Sequence, residues 1–144
     1  MSVGGPPTIT TVALARPVPK RTLFLRAMTL RCPQCGSRGL FQSWYRIAER
    51  CPTCGLRSDR VVGHWIGAVG VNTIVSFGAL LVTLAVGFIV TYPDVPVVPM
   101  LVIALAVAVF VPLLFWPFSQ TLWTAVDLAM RPAERSELDP RYEL

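Results

Sequence analysis

RCPQCGSRGLFQSWYRIAERCPTCGL, residues 31–56, holds all four cysteines of the chain in two near-identical knuckles, and nearly pure hydrocarbon follows it. The spacing, C-x2-C-x15-C-x2-C over Cys32, Cys35, Cys51 and Cys54, is that of a zinc site. Each C-x-x-C turn offers two thiolates from one side, and two facing turns complete a tetrahedron around the metal. Pro33 and Pro52 constrain φ after the first cysteine of each knuckle. Gly36 and Gly55, after the second, supply the positive φ that turns backbone N–H groups toward sulfur. Four thiolates on a divalent cation carry two net negative charges, which Arg31, Arg38, Arg50 and Arg57 can offset. One zinc per chain is expected, ahead of rubredoxin-like iron, a thiol redox pair or a disulfide.

Outward from the knuckles, composition turns membrane-like. Neither residues 61–93 nor residues 95–126 contain Asp, Glu, Lys or Arg. A bilayer core needs about 20 apolar residues per helix, so each run predicts a span: 64–90 and 97–117, joined by a turn at 91–96. A juxtamembrane helix is expected over 118–131, then a charged tail over 132–144. Residues 1–20, with Pro6, Pro7, Pro17 and Pro19 and no apolar core, read as a disordered lead rather than a signal peptide.

Charge orients this hairpin. Ten basic residues stand before position 61 against only Glu49 and Asp59, whereas the turn carries Asp94 alone. Basic residues stay inside, so both termini are expected in the cytoplasm, with the chain multi-pass in the inner membrane. A reducing compartment also favours metal over disulfide for the cysteines. The fold class is therefore a mainly α membrane protein: a two-helix hairpin with a small N-terminal, cytoplasmic, zinc-ribbon-like module at 21–60.

Within that module, Arg21 to Arg31 forms a basic amphipathic segment expected to lie on an anionic inner leaflet, with packing against the cysteine module as the alternative. Leu40, Phe41, Trp44, Ile47 and Ala48 follow a helical stripe, so a short helix with an extended return is expected between the knuckles. Trp44 and Tyr45 are a candidate docking face. In the first span, Gly63 and Gly67 with His64, Ala68, Asn72 and Ser76 form a small and polar face suited to the second span or to a partner. In antiparallel register His64 lies level with Trp123, which brings Asp127 within about one helical turn (~5 Å). Tyr92 outside, and Trp65, Trp116 and Trp123 inside, suit the interfacial aromatic belts.

The pair CPQCG and CPTCGL, the intervening GLF, the two spans and the PFSQTLW stretch together resemble the bacterial family called domain of unknown function 983, over about residues 22–131. The GHWIGAVGVNTIVSFG run resembles its actinobacterial branch. The resemblance implies the architecture and the paired-cysteine site at Cys32, Cys35, Cys51 and Cys54, but no reaction. SDRVVGHWIG stands where many members carry an acidic, Gly-rich segment.

No catalytic constellation stands out, so the chain reads as a non-enzyme. The leading expectation is a scaffold, docking or assembly factor for another membrane protein. A metal-handling or thiol-redox role in maturing a membrane enzyme comes second. Nucleic-acid contact by the basic module comes last, since topology and anionic lipid already account for its charge.

Overall fold

The computed structural model describes residues 17–60 and 63–140; most of the N-terminal lead, residues 61–62 and the last four positions lie outside them. Among the described residues the order is α1 (Lys20–Met28), β1 (Phe41–Ser43), β2 (Arg46–Ile47), α2 (His64–Thr91), α3 (Val97–Met130) and a closing 3-10 turn, Arg135–Glu137. The chain is a mainly helical membrane protein with a small cysteine-bearing head.

The two long helices have the length and apolar composition to cross a membrane. At 1.5 Å per residue, the 28 residues of α2 and the 34 of α3 extend roughly 42 and 51 Å, against a hydrocarbon core of about 30 Å. The excess of α3 is where the head sits. Its large apolar side chains stay exposed from Val97 to Leu114 and are then covered by the head from Pro117 to Leu128. The second span and the juxtamembrane segment are thus one continuous helix, and Pro112 and Pro117 lie inside it. Pro99 sits in the first turn, where an amide hydrogen has no partner to lose.

The small face of α2 turns toward α3. Gly67 lies flat against the Trp123 indole, closely enough that a methyl group there would overlap the ring. Further out, the Asn72 amide donates to the Pro112 carbonyl at 3.2 Å, and Gly87 faces Met100. These pairs keep the antiparallel register near that expected from the turn. Trp123 and Trp116 are engaged inside the molecule, whereas Trp65 and Tyr92 are exposed at the helix ends.

The head differs from expectation in two elements. Between the knuckles the chain forms a hairpin rather than a helix: β1 and β2 pair antiparallel, Phe41 opposite Ile47 and Ser43 opposite Arg46, with an irregular step between. The Ala48 N–H donates to the Leu40 carbonyl at 2.7 Å. A helix from 40 to 48 would hold its ends roughly 12 Å apart, and the knuckles it connects must meet. The helical stripe instead splits, with Leu40 and Ala48 buried and Trp44 and Tyr45 at the exposed tip.

The basic segment, in turn, does not lie free on a surface. As α1 it buries Leu23 and Ala27 in one core with Leu40, Leu56, Ala125, Leu128, Ala133 and Leu138, because so small a head has few other apolar groups to bury. The Thr121 hydroxyl of α3 reaches the Ala27 carbonyl at 3.0 Å, which fixes the end of α1 against the membrane helix. The charged segment after Pro132 folds back over the second knuckle, where the Asp139 N–H donates to the Cys54 carbonyl at 2.8 Å.

Gly67→Ala should destabilise the hairpin by about 1–3 kcal/mol, read as a lower Tm of the full chain in nanodiscs. Gly70→Ala, with open space around it, should be neutral or slightly stabilising, because alanine is the better helix former.

Candidate metal centre

Both knuckles fold as expected. In the first, the Gly36 N–H donates to the Cys32 carbonyl at 2.7 Å and the Cys32 N–H to the Ser37 carbonyl at 3.0 Å. The second repeats the pattern, Gly55 to Cys51 at 2.9 Å and Cys51 to Leu56 at 2.9 Å. Gly36 and Gly55 have φ of 79° and 73°. At Gly55 a side chain would also meet the Asp139 amide nitrogen at 2.8 Å, so the position is closed to other residues on both counts.

The four ligand sulfurs lie within 4.8 Å of one another. Cys32 Sγ and Cys54 Sγ are 3.8 Å apart, and Cys35 Sγ and Cys51 Sγ are 3.6 Å apart. A tetrahedron with metal–sulfur bonds of about 2.3 Å has edges of ~3.8 Å, so the donor set fits a four-thiolate metal ion. It does not fit disulfides, whose sulfurs stand about 2.05 Å apart, and all four cysteines are free.

Thiolates this close repel one another unless a cation shares their charge. The Cys32 sulfur draws the Cys35 thiol down to about 6 and lowers Cys51 as well. The reciprocal contacts, Cys35 at Cys32 and Cys32 at Cys54, push those two thiols up. Cys32, Cys51 and Cys54 are buried; Cys35 is half-buried.

The groups supporting the sulfurs are not the arginines that flank them in sequence. Ser37 Oγ stands 3.0 Å from Cys35 Sγ and 3.3 Å from Cys51 Sγ, where its hydroxyl can donate to a thiolate. Arg26, one helix away, braces the first knuckle by donating to the Gln34 carbonyl at 2.7 Å and the Pro33 carbonyl at 3.2 Å. Arg50 and Arg57 face each other across an isolated bridge under the second knuckle. Among the described residues, no arginine hydrogen-bonds to sulfur.

Three contacts weld this centre to the membrane helices. Pro117 has no amide hydrogen for the Leu113 carbonyl, and the Trp44 indole N–H at the hairpin tip donates to that carbonyl at 3.2 Å. The next tip residue, Tyr45, accepts at its carbonyl from the Trp116 indole and the Gln120 amide, each at 3.4 Å. Arg60, just after the second knuckle, reaches Asp127 at 3.1 Å, Glu137 at 2.8 Å and the Arg131 carbonyl at 3.0 Å.

The structure thus brings together the four cysteines, joins Gly67 and Asn72 to α3, and ties Trp44 and Tyr45 to it as well. It gives the Asp127 carboxylate to Arg60 rather than to His64. Among the described residues, His64 Nε2, Asn72 Oδ1, Ser76 Oγ and Gln120 Oε1 are buried without a hydrogen-bond partner; Gly63, with φ 100°, stands at the N-cap of α2. Arg60 and Arg26 escape the sequence reading because their partners are 77 and 8 positions distant; Ser37, two residues after Cys35, lies within reach of it. Trp44 left a usable trace, since Pro117 inside a helix announces an orphan carbonyl at Leu113.

At Glu137, burial raises the carboxyl pKa, but the Arg60 hydrogen bond and the Glu134 backbone N–H outweigh it and hold the group below its ordinary 4.5. A folded pKa below the unfolded one stabilises fully above about 4.5, and that contribution is lost as pH falls through the lowered value.

The family model described as protein of unknown function (DUF983) matches residues 41–127. No curated protein and no solved structure matches the chain.

Two outcomes follow from this geometry. Arg60→Gln should cost about 3–5 kcal/mol, because it leaves Asp127 buried and unpaired; Glu137→Gln should lose less, and its stability difference from wild type should shrink as pH falls below the ordinary 4.5 and through the lowered pKa of Glu137. Chelation of the metal should abolish amide-exchange protection at Asp139, whose N–H rests on Cys54, while Gly67 to Val90 in α2 stays protected.

Proposed function

The chain belongs to the DUF983 family, and on that premise we propose that it is a multi-pass protein of the bacterial cytoplasmic membrane whose structural-zinc head serves as a scaffold, docking or assembly factor for another membrane protein. The observation that carries this reading is the welding of the head to α3. Trp44, Thr121 and Arg60 each bridge the two, so the head is a rigid face at one end of the hairpin.

A four-thiolate site has every coordination position filled by protein, which is the arrangement of metals that fold a domain rather than catalyse. Zinc is the preferred ion because its tetrahedral thiolate sites carry this structural role, and iron would colour the protein. The excess of basic residues before position 61 favours a cytoplasmic head and cytoplasmic termini. Reducing conditions there keep the cysteines available as ligands. No reaction is assigned.

The α2 face once open to a partner is spent on α3, through Gly67 and Asn72. What remains for a partner is the exposed inner end of α2, Trp65 and Ile66, and the tip residue Tyr45. A second reading, metal handling or thiol redox during maturation of a membrane enzyme, draws support from Cys35, the one ligand that is only half-buried. Exchange or oxidation would begin there.

Photo-crosslinking residues placed at Tyr45 and Trp65 in native membranes, with metal measured on the same preparation, separate the two. The scaffold reading expects a colourless protein with one zinc per chain, inert to mild chelator, and a specific protein adduct from both positions. Lipid adducts alone, with zinc readily lost to the chelator, would favour metal handling.

A further inference from the structure

A groove of about 490 Å³ runs between the end of α1, the loop after the first knuckle, the hairpin and α3. Arg31 and Arg38 line it together with Thr29, Gln42 and Ser43, and no acidic side chain does. Its far wall is Trp44 and Pro117. Among the described residues, neither guanidinium has a hydrogen-bond or ion-pair partner in the protein, in contrast to Arg26, which donates to two carbonyls, and Arg60, whose three nitrogens are all engaged.

The place of the groove along α3 gives it meaning. Leu113 and Leu114 are 45 % and 59 % exposed, and three residues later Pro117 is buried under the head. That transition marks where lipid contact gives way to protein contact, and Trp44, bonded to the Leu113 carbonyl, stands on it. The groove therefore opens at the depth of the headgroups, with apolar side chains of α3 continuing from its rim toward the bilayer. Guanidinium groups match phosphate geometry and bind it through paired N–H donors, and the Ser43 hydroxyl and Gln42 amide add neutral donors.

We propose that this groove binds the phosphate of an anionic glycerophospholipid, with Arg31 and Arg38 on the headgroup and the acyl chains running along Leu113 and Leu114. The lipid is then a component of the joint between head and hairpin. The inference rests on the placement of the head at the membrane surface, but not on the existence of a protein partner.

The test uses the full-length, metal-loaded chain in nanodiscs of phosphatidylcholine with a minor fraction of phosphatidylglycerol, released for native mass spectrometry. Wild type should retain phosphatidylglycerol above its share of the bilayer. Arg31→Gln with Arg38→Gln should weaken that retention about 25-fold, roughly fivefold for each basic group at the surface. Arg38→Gln alone, at an exposed loop position, reads the same effect should the double variant lose its metal.

Arg21→Gln with Arg57→Gln, exposed arginines that do not line the groove, should leave retention unchanged. An equal loss in that pair would make the preference a diffuse charge effect and overturn the site. So would the absence of any phosphatidylglycerol preference in wild type, or full displacement of the lipid by millimolar glycerol 3-phosphate, which would mark a site for soluble phosphates. A chain that alkaline carbonate strips from the bilayer would instead defeat the membrane-spanning reading itself.

Discussion

With its guanidinium shared between Asp127, Glu137 and the Arg131 carbonyl, Arg60 joins three segments that nothing in the sequence brings together. It follows the second knuckle, Asp127 lies three residues before the end of α3, and Glu137 closes the C-terminal turn. Its side chain is 7 % exposed, and a charge so placed must be paired to be tolerated. The pairing orients everything around it: the ribbon leans on α3, and the C-terminal segment returns over Cys54. A metal site that would otherwise close only its own loop becomes part of a core shared with a membrane helix.

The second organising constraint is the backbone of α3 where its exposed apolar stretch meets the head. An unsatisfied carbonyl costs most where water is scarce, and Pro117 creates one at Leu113. The hairpin tip answers it with the Trp44 indole. Asn72 donates to the neighbouring carbonyl, that of Pro112, and ties α2 to the same stretch of α3. Pro117 therefore acts as a docking point for the head, its orphan carbonyl taken up by Trp44 while α3 runs unbroken from Val97 to Met130.

The sequence made the metal centre legible to a large extent, because its geometry is local. Each knuckle is a five-residue turn whose proline and glycine dictate its backbone, and the distance between knuckles is bridged by a loop that has only to bring them face to face. The spans were legible for a different reason. A bilayer demands length and apolarity of each helix separately, so no partner needs to be known. The insert was misread because periodicity alone cannot weigh the closure that the knuckles impose on Leu40 and Ala48.

By itself, then, the sequence determined the four-thiolate set, the two spans, their antiparallel register and the small face of α2, since each depends on residues near in the chain or on the solvent around them. Only the tertiary structure decided that the Trp44 indole bonds to the Leu113 carbonyl, that Asp127 belongs to Arg60, that Leu23 and Ala27 of α1 join the core, and that Arg31 and Arg38 line a groove instead of contacting sulfur. These are choices among partners far apart in the chain, made by burial and charge pairing once the head closes on α3.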